Sequence, residues 1–157
     1  MGNYDSNDCR FSWSGDFAKG KDGDLGDTSE DGLLSLIQEI HSVVKSELLD
    51  WQMEPTLGAG LSEFIGEPNT EETGRKITNR LRTKLVEAKI VDAGDLHIRV
   101  VPVNIGQVMI MINVMAVATS NNRLDVGQSI NISFLFDTSE NGLFFFPPSI
   151  HQANNVR

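Results

Sequence analysis

The chain has 157 residues, 39% of them hydrophobic, with a formal net charge of -9 and one cysteine, Cys9. That length holds one core rather than two. A lone cysteine rules out an intramolecular disulfide framework or a multi-cysteine zinc site and fits a reducing compartment, and an acidic total argues against a nucleic-acid binder, whose footprint is basic.

The charge is unevenly divided: residues 1–74 carry 16 acidic and 4 basic side chains, residues 75–157 carry 6 and 9. Complementary halves of this kind suit assembly with neighbours, although Arg75, Lys76, Arg80, Arg82 and Lys84 need an account of their own. With no hydrophobic leader and no run of about 18 apolar residues, neither a signal peptide nor a spanning helix is expected, and the chain reads as soluble.

Residues 1–28 are rich in Gly, Asp, Asn and Ser, with Phe11, Trp13 and Phe17 as their core-forming aromatics. They read as an acidic tail or clamp that need not be ordered alone and whose order can come with assembly. The opening MGNYDS fits the N-myristoylation pattern at Gly2 and Ser6, but no polybasic segment supplies a second anchor. Residues 21–32, KDGDLGDTSEDG, are acidic without the ligand order of a calcium loop, and read as a linker running into a helix cap.

Over residues 29–49, Leu33, Leu36, Ile37, Ile40, Val43, Val44 and Leu48 recur at helical spacing, and Thr28 or Ser29 ahead of Glu30 and Asp31 supplies a start. Residues 50–69 hold two prolines and three glycines, so a loop with one short helical turn near Leu61 to Ile65 is expected. Its hydrophobes, Trp51, Met53, Leu57, Leu61, Phe64 and Ile65, imply that it packs down. Asn69 or Thr70 then caps a second helix to about Ala88, with Ile77, Leu81 and Leu85 inward and the basic run outward as a solvated face rather than a binding patch.

After Asp95 the pattern turns to β. LHIRVVPV alternates, QVMIMINVMAVA is a long apolar-rich strand, and QSINISFLF alternates again, with turn chemistry at 104–106 and 120–122. GLFFFPP adds an edge strand stopped by prolines or an apolar tag for a partner. The expected fold is α+β, two main helices on one face of an antiparallel sheet of three or more strands, with residues 29–146 as one domain and 147–157 as a C-terminal tail.

Chemistry is thinly signposted. His41 falls on the polar side of the first helix, His97 on an outward strand face and His151 in the tail, with no paired-His spacing for a metal. No cofactor is expected. Glu63, Glu67, Glu71 and Glu72 are the carboxylates a hydrolase would draw on, yet no arrangement of two across a cleft can be derived from them. In KLVEAKIVD, Glu87 and Lys89 flank the small Ala88 at a helix-to-strand turn; a catalytic couple, a solvated turn and a contact for another protein are the three readings.

Taken in order, the first helix, the EPTLGAGLSEFI segment, the second helix, the LHIRVVPV strand and a long hairpin resemble the small baseplate wedge family of contractile phage tails. That family is often labelled lysozyme-like and has relatives in type VI secretion. The likeness spans about residues 25–137, with Glu87, Ala88, Lys89 and Ile90 at the family's Glu-Pro-Arg-Ile position and Leu57 where an aromatic is usual.

The resemblance implies a non-enzymatic virion protein of the tail baseplate, assembled in the host cytoplasm. It would link the wedge core to the first tail-sheath ring and template the sheath by strand addition. Its partners would be other wedge proteins and the sheath subunit, with no nucleic acid, membrane or small molecule. Glu87, Ala88 and Lys89 would meet the wedge core, and Ile130, Ile132, Phe134 and Phe136 the sheath. The family label carries a peptidoglycan-cleaving hydrolase as the alternative.

Overall fold

Helix α1 spans Gly32–Lys45. The computed structural model describes residues 9–13, 16–28, 32–115, 128–140, 142–146, 148 and the backbone of 150–151, so the expected cap at Ser29 and the turn at 120–122 lie outside the described residues. Leu36, Ile37, Ile40, Val43 and Val44 are all buried, as their spacing requires.

The helix stops earlier than residue 49 because the chain reverses. Asp50 Oδ2 accepts the Glu47 N–H at 2.8 Å, and Leu49 takes a positive φ of 73°. The returning loop then satisfies terminal carbonyls of the helix: Ala59 N–H donates to Val43 O at 2.9 Å and Gly60 N–H to Ser46 O at 3.2 Å. Gly58 makes this approach possible, since a Cβ there would lie 2.7 Å from Glu47 O and its φ is 113°.

The loop continues through a 3₁₀ turn, Leu61–Phe64, with Ala59, Leu61 and Phe64 buried but Met53 fully out in solvent. Helix α2, Glu71–Glu87, starts at Thr70, whose side chain accepts the Thr73 N–H, with Glu71 and Glu72 in its first turn. Ile77, Leu81 and Leu85 are completely buried.

The sheet comprises β1 (Leu96–Asn104), β2 (Gln107–Met115), β3 (Ser129–Asp137), β4 (Gly142–Phe146) and the short β5 (Ile150–His151). Strands run antiparallel in the order β1-β2-β3-β4, and β5 pairs with the start of β3. Register places Leu96, Ile98, Val100 and Pro102 beside Val114, Ile112, Ile110 and Val108, and these in turn beside Ile130, Ile132, Phe134 and Phe136 on one inner face. Both helices cover that face, giving an α+β fold: α2 lies along β1, and α1 reaches β3 and β4 through His41.

Strand period settles the three consecutive phenylalanines. Phe145 points inward with Phe134, at 5.3 Å between ring centroids, while Phe144 and Phe146 point out and are 58% and 45% exposed.

The described part of residues 9–28 is a small clasp with bridges Cys9↔Asp27, Phe11↔Phe17 and Lys19↔Leu25. Buried Gln38 of α1 holds it with both ends of its carboxamide: Phe11 N–H donates to Oε1 at 3.0 Å, and Nε2 donates to Cys9 O at 2.9 Å. Trp13 then packs on Phe145 at 4.8 Å and on His41 at 5.9 Å. His41 is therefore not a polar-face residue: it is half-buried among aromatic rings, stacked on Phe134 at 6.1 Å.

Candidate interaction surfaces

The turn after α2 is a complete helix terminus. Ala88 N–H donates to Lys84 O at 3.0 Å, Lys89 N–H to Val86 O at 3.0 Å and Ile90 N–H to Leu85 O at 3.2 Å, the Schellman arrangement with Lys89 at its left-handed position, φ 56°. A proline at residue 88 would suit the φ of -70° but would forfeit the bond to Lys84 O.

Glu87 and Lys89 are exposed and form no ion pair among the described residues. Ala88 is half-buried and lines a cleft of about 230 Å³ with Glu39, Trp51, Glu54, Leu57 and Ile90. The turn thus presents two charges of opposite sign, unpaired among the described residues, beside this cleft.

The basic run on α2 has an internal account. Lys76 Nζ pairs with Glu67 at 3.4 Å, Arg80 pairs with Glu63 and lies over the Phe64 ring, Lys84 Nζ donates to Thr56 O at 2.8 Å, and Arg82 donates to Ala93 O. Arg75 pairs with Glu71 one turn back, in solvent. These side chains strap the loops on either side to α2.

The same pairs place the four candidate carboxylates. Glu63 and Glu67 line one groove with Lys76 and Arg80, and the Arg80 hydrogen bond, reinforced by its charge, holds the Glu63 carboxyl below its ordinary range. A general acid of a glycosidase needs the opposite shift. Glu71 and Glu72 sit exposed in the first turn of α2. Asp22 and Asp24 accept turn N–H groups, from Asp24 and Leu25, and no cluster of metal-ligating side chains occurs among the described residues.

The four residues expected to take an added strand are placed elsewhere. Ile130, Ile132, Phe134 and Phe136 are at most 1% exposed. Their strand has β2 on one side and β4 and β5 on the other. Thr138 N–H bonds Gly106 O at 2.8 Å, and by the two-residue period the N–H and C=O groups of all four also point to β2. They are core, with neither side chain nor backbone available.

The outer strands are β1 and β4. Met115 N–H bonds Asp95 O at 2.9 Å, so the same period turns the N–H and C=O groups of Ile98 and Val100 away from β2. There α2 stands close, a Cβ on Gly74 falling 3.8 Å from Val100 O. On β4 the outward groups belong to Leu143 and Phe145. The outer face of the sheet adds an apolar row that crosses every main strand: Val101, Met109, Leu135 and Phe144 stand side by side, with Met111 and Phe146 in the next row.

Compared with family models, curated proteins and solved structures, the chain matches none of them.

Proposed function

We propose that the chain is a structural subunit of a contractile-tail baseplate wedge, joining the wedge core to the first sheath ring and templating the sheath by strand addition. The observation that carries this reading is β4, an outer strand whose outward backbone groups at Leu143 and Phe145 adjoin the exposed rings of Phe144 and Phe146. An incoming strand would gain main-chain hydrogen bonds along that edge and bury apolar surface beside it. The edge of β1 is less suited because α2 crowds it at Gly74. The Glu87 to Lys89 turn, with its uncompensated charges, is assigned to the wedge core.

Reconstitution with wedge and sheath proteins of a contractile tail tests both assignments. Leu143→Pro removes an outward N–H and leaves the β3–β4 ladder intact, so wedge incorporation should persist while sheath growth stops. Ile98→Pro, the equivalent change on β1, should leave sheath growth unaffected. Glu87→Lys or Lys89→Glu should instead prevent incorporation into the wedge. Normal sheath growth on the Leu143→Pro protein, or normal wedge assembly by both turn variants, sinks the corresponding assignment.

A further inference from the structure

The cleft of about 230 Å³ beside Ala88 is lined by charge of one sign. Among the described residues its charged lining is Glu39 from α1 and Glu54 from the loop, both carboxylates. Glu87 and Lys89 flank it with opposite charges that offset each other, and neither lines it. The basic side chains of the neighbouring elements are engaged elsewhere. Lys84 Nζ donates to Thr56 O and lines the groove that holds Glu63, Arg82 donates to Ala93 O, and Lys45 borders a separate cleft together with Asp50. A cation is therefore the charge this cleft attracts, and a phosphate or carboxylate is repelled.

The two groups that would meet a cation are held in place. Trp51 is 47% exposed, yet its indole N–H donates to Ser46 Oγ at 3.0 Å, so the ring is fixed in solvent before anything binds. Glu54 lies one turn further on, with its N–H on Trp51 O at 3.2 Å and its own carbonyl accepting the Leu57 N–H at 2.9 Å. Its carboxylate is exposed and forms no ion pair among the described residues. Glu39 accepts from Ser35 Oγ at 3.4 Å and adds its charge to the same wall.

The rest of the lining is apolar or already occupied. Val43, Leu57, Ala88 and Ile90 supply hydrocarbon, the Gln38 carboxamide is spent on the clasp, and Ser42 Oγ donates to Gln38 O at 2.9 Å. A sugar, which needs several convergent donors and acceptors, would find few unused. A long apolar stem ending in a planar cation matches every part of this surface. Arginine suits it better than lysine, because a guanidinium stacks flat on an indole and meets a carboxylate with two N–H groups.

We propose that this cleft receives an arginine side chain of the partner that meets the Glu87 to Lys89 turn, the guanidinium lying on Trp51 and pairing with Glu54 while its methylenes pack on Leu57, Ala88 and Ile90. The inference rests on the assignment of that turn to the wedge core, and it names the residue type the wedge core must present there.

A blocked pentapeptide with one arginine between alanines, titrated into the full isotope-labelled chain and followed by NMR, tests the cleft without any wedge protein. The Trp51 indole and Ala88 amide signals should move saturably while the Trp13 indole, which borders the separate cleft, stays still. Exchanging the arginine for norleucine should weaken binding about tenfold, and Glu54→Gln, made at an exposed position, about two- to fivefold. Ala88→Leu should fill the cleft and block binding. Absence of a saturable shift overturns the proposal, as does equal movement of Trp13, or a lysine or glutamate peptide that binds as well as the arginine one. Wedge reconstitution separates this failure from that of the turn assignment. Glu54→Lys should prevent incorporation as Glu87→Lys does; incorporation lost with Glu87→Lys but kept with Glu54→Lys overturns the cleft and leaves the turn in place, and normal incorporation of the Glu54→Lys, Glu87→Lys and Lys89→Glu proteins alike overturns both.

Discussion

At Lys89 a side chain occupies a backbone position that glycine fills most easily. The φ of 56° places Cβ near a carbonyl oxygen, at a cost of roughly 1 to 2 kcal/mol for an L-residue. Lys89→Gly should therefore raise the stability of the isolated domain by about 1 kcal/mol in urea unfolding, and Lys89→Val should lower it, because a β-branched side chain tolerates that region worst. Lys89→Gly would also remove the ammonium assigned to the wedge contact, so the proposed function expects this protein to be more stable and poorer at wedge assembly. His41 illustrates the opposite kind of constraint. Burial among Trp13, Phe134 and Phe145, helped by the Lys45 charge, lowers its pKa below 6.5. The unfolded chain then binds the proton first. The stabilising contribution of neutral His41 is fully present above the unfolded value near 6.5 and is lost as pH falls below it toward the folded value. Urea unfolding between about pH 7.5 and about pH 5.5 should show stability declining with acidity, and His41→Phe should flatten that decline.

At the scale of elements, the loop between the helices is held by α2 through Lys76, Arg80 and Lys84 rather than by its own hydrogen bonds alone. Arg80→Ala and Lys84→Ala should open residues 50–67 to limited proteolysis, while Arg75→Ala, which breaks only a solvent-exposed pair, should leave the cleavage pattern unchanged. Those straps were invisible in sequence, where charges on a helix read as a solvated face, because their partners lie 9 to 28 residues away. The helix itself was legible: Ile77, Leu81 and Leu85 fix its buried face, and Thr70 with two acids fixes its start. Strand periodicity likewise identified the buried face of β3 but could not reveal its neighbours. Alternation at Ile130, Ile132, Phe134 and Phe136 records which side is dry, and only the ladder shows that both flanks are already paired. The seating of the clasp on α1 escaped for a third reason. Phe11 and Trp13 stood out in a polar segment, but the contact that gives them a place runs through Gln38, 27 and 29 residues from its two clasp partners.

For the whole molecule, the decisive asymmetry lies between the two faces of one sheet. The inner face is sealed by both helices, and its loss is costly: Phe134→Ala, at a fully buried position, should destabilise the domain by about 3 to 5 kcal/mol. The outer face carries Val101, Met109, Leu135 and Phe144 in one row, although water rather than core meets Phe144 over more than half its surface. An apolar band spanning four strands does little for a lone domain, and under the proposed function it is the surface that assembly would cover. Phe144→Ser should accordingly alter unfolding free energy by no more than about 0.5 kcal/mol. The same substitution should impair sheath growth on an assembled wedge, because the ring adjoins the β4 edge to which strand addition is assigned. Chemical denaturation and the extent of sheath growth, measured on one protein sample, separate the two roles. A Phe144→Ser chain that is destabilised as strongly as Phe134→Ala would make the outer ring part of the core. One that folds and supports normal sheath growth would remove the outer face from the assembly and leave strand addition to rest on backbone bonds alone.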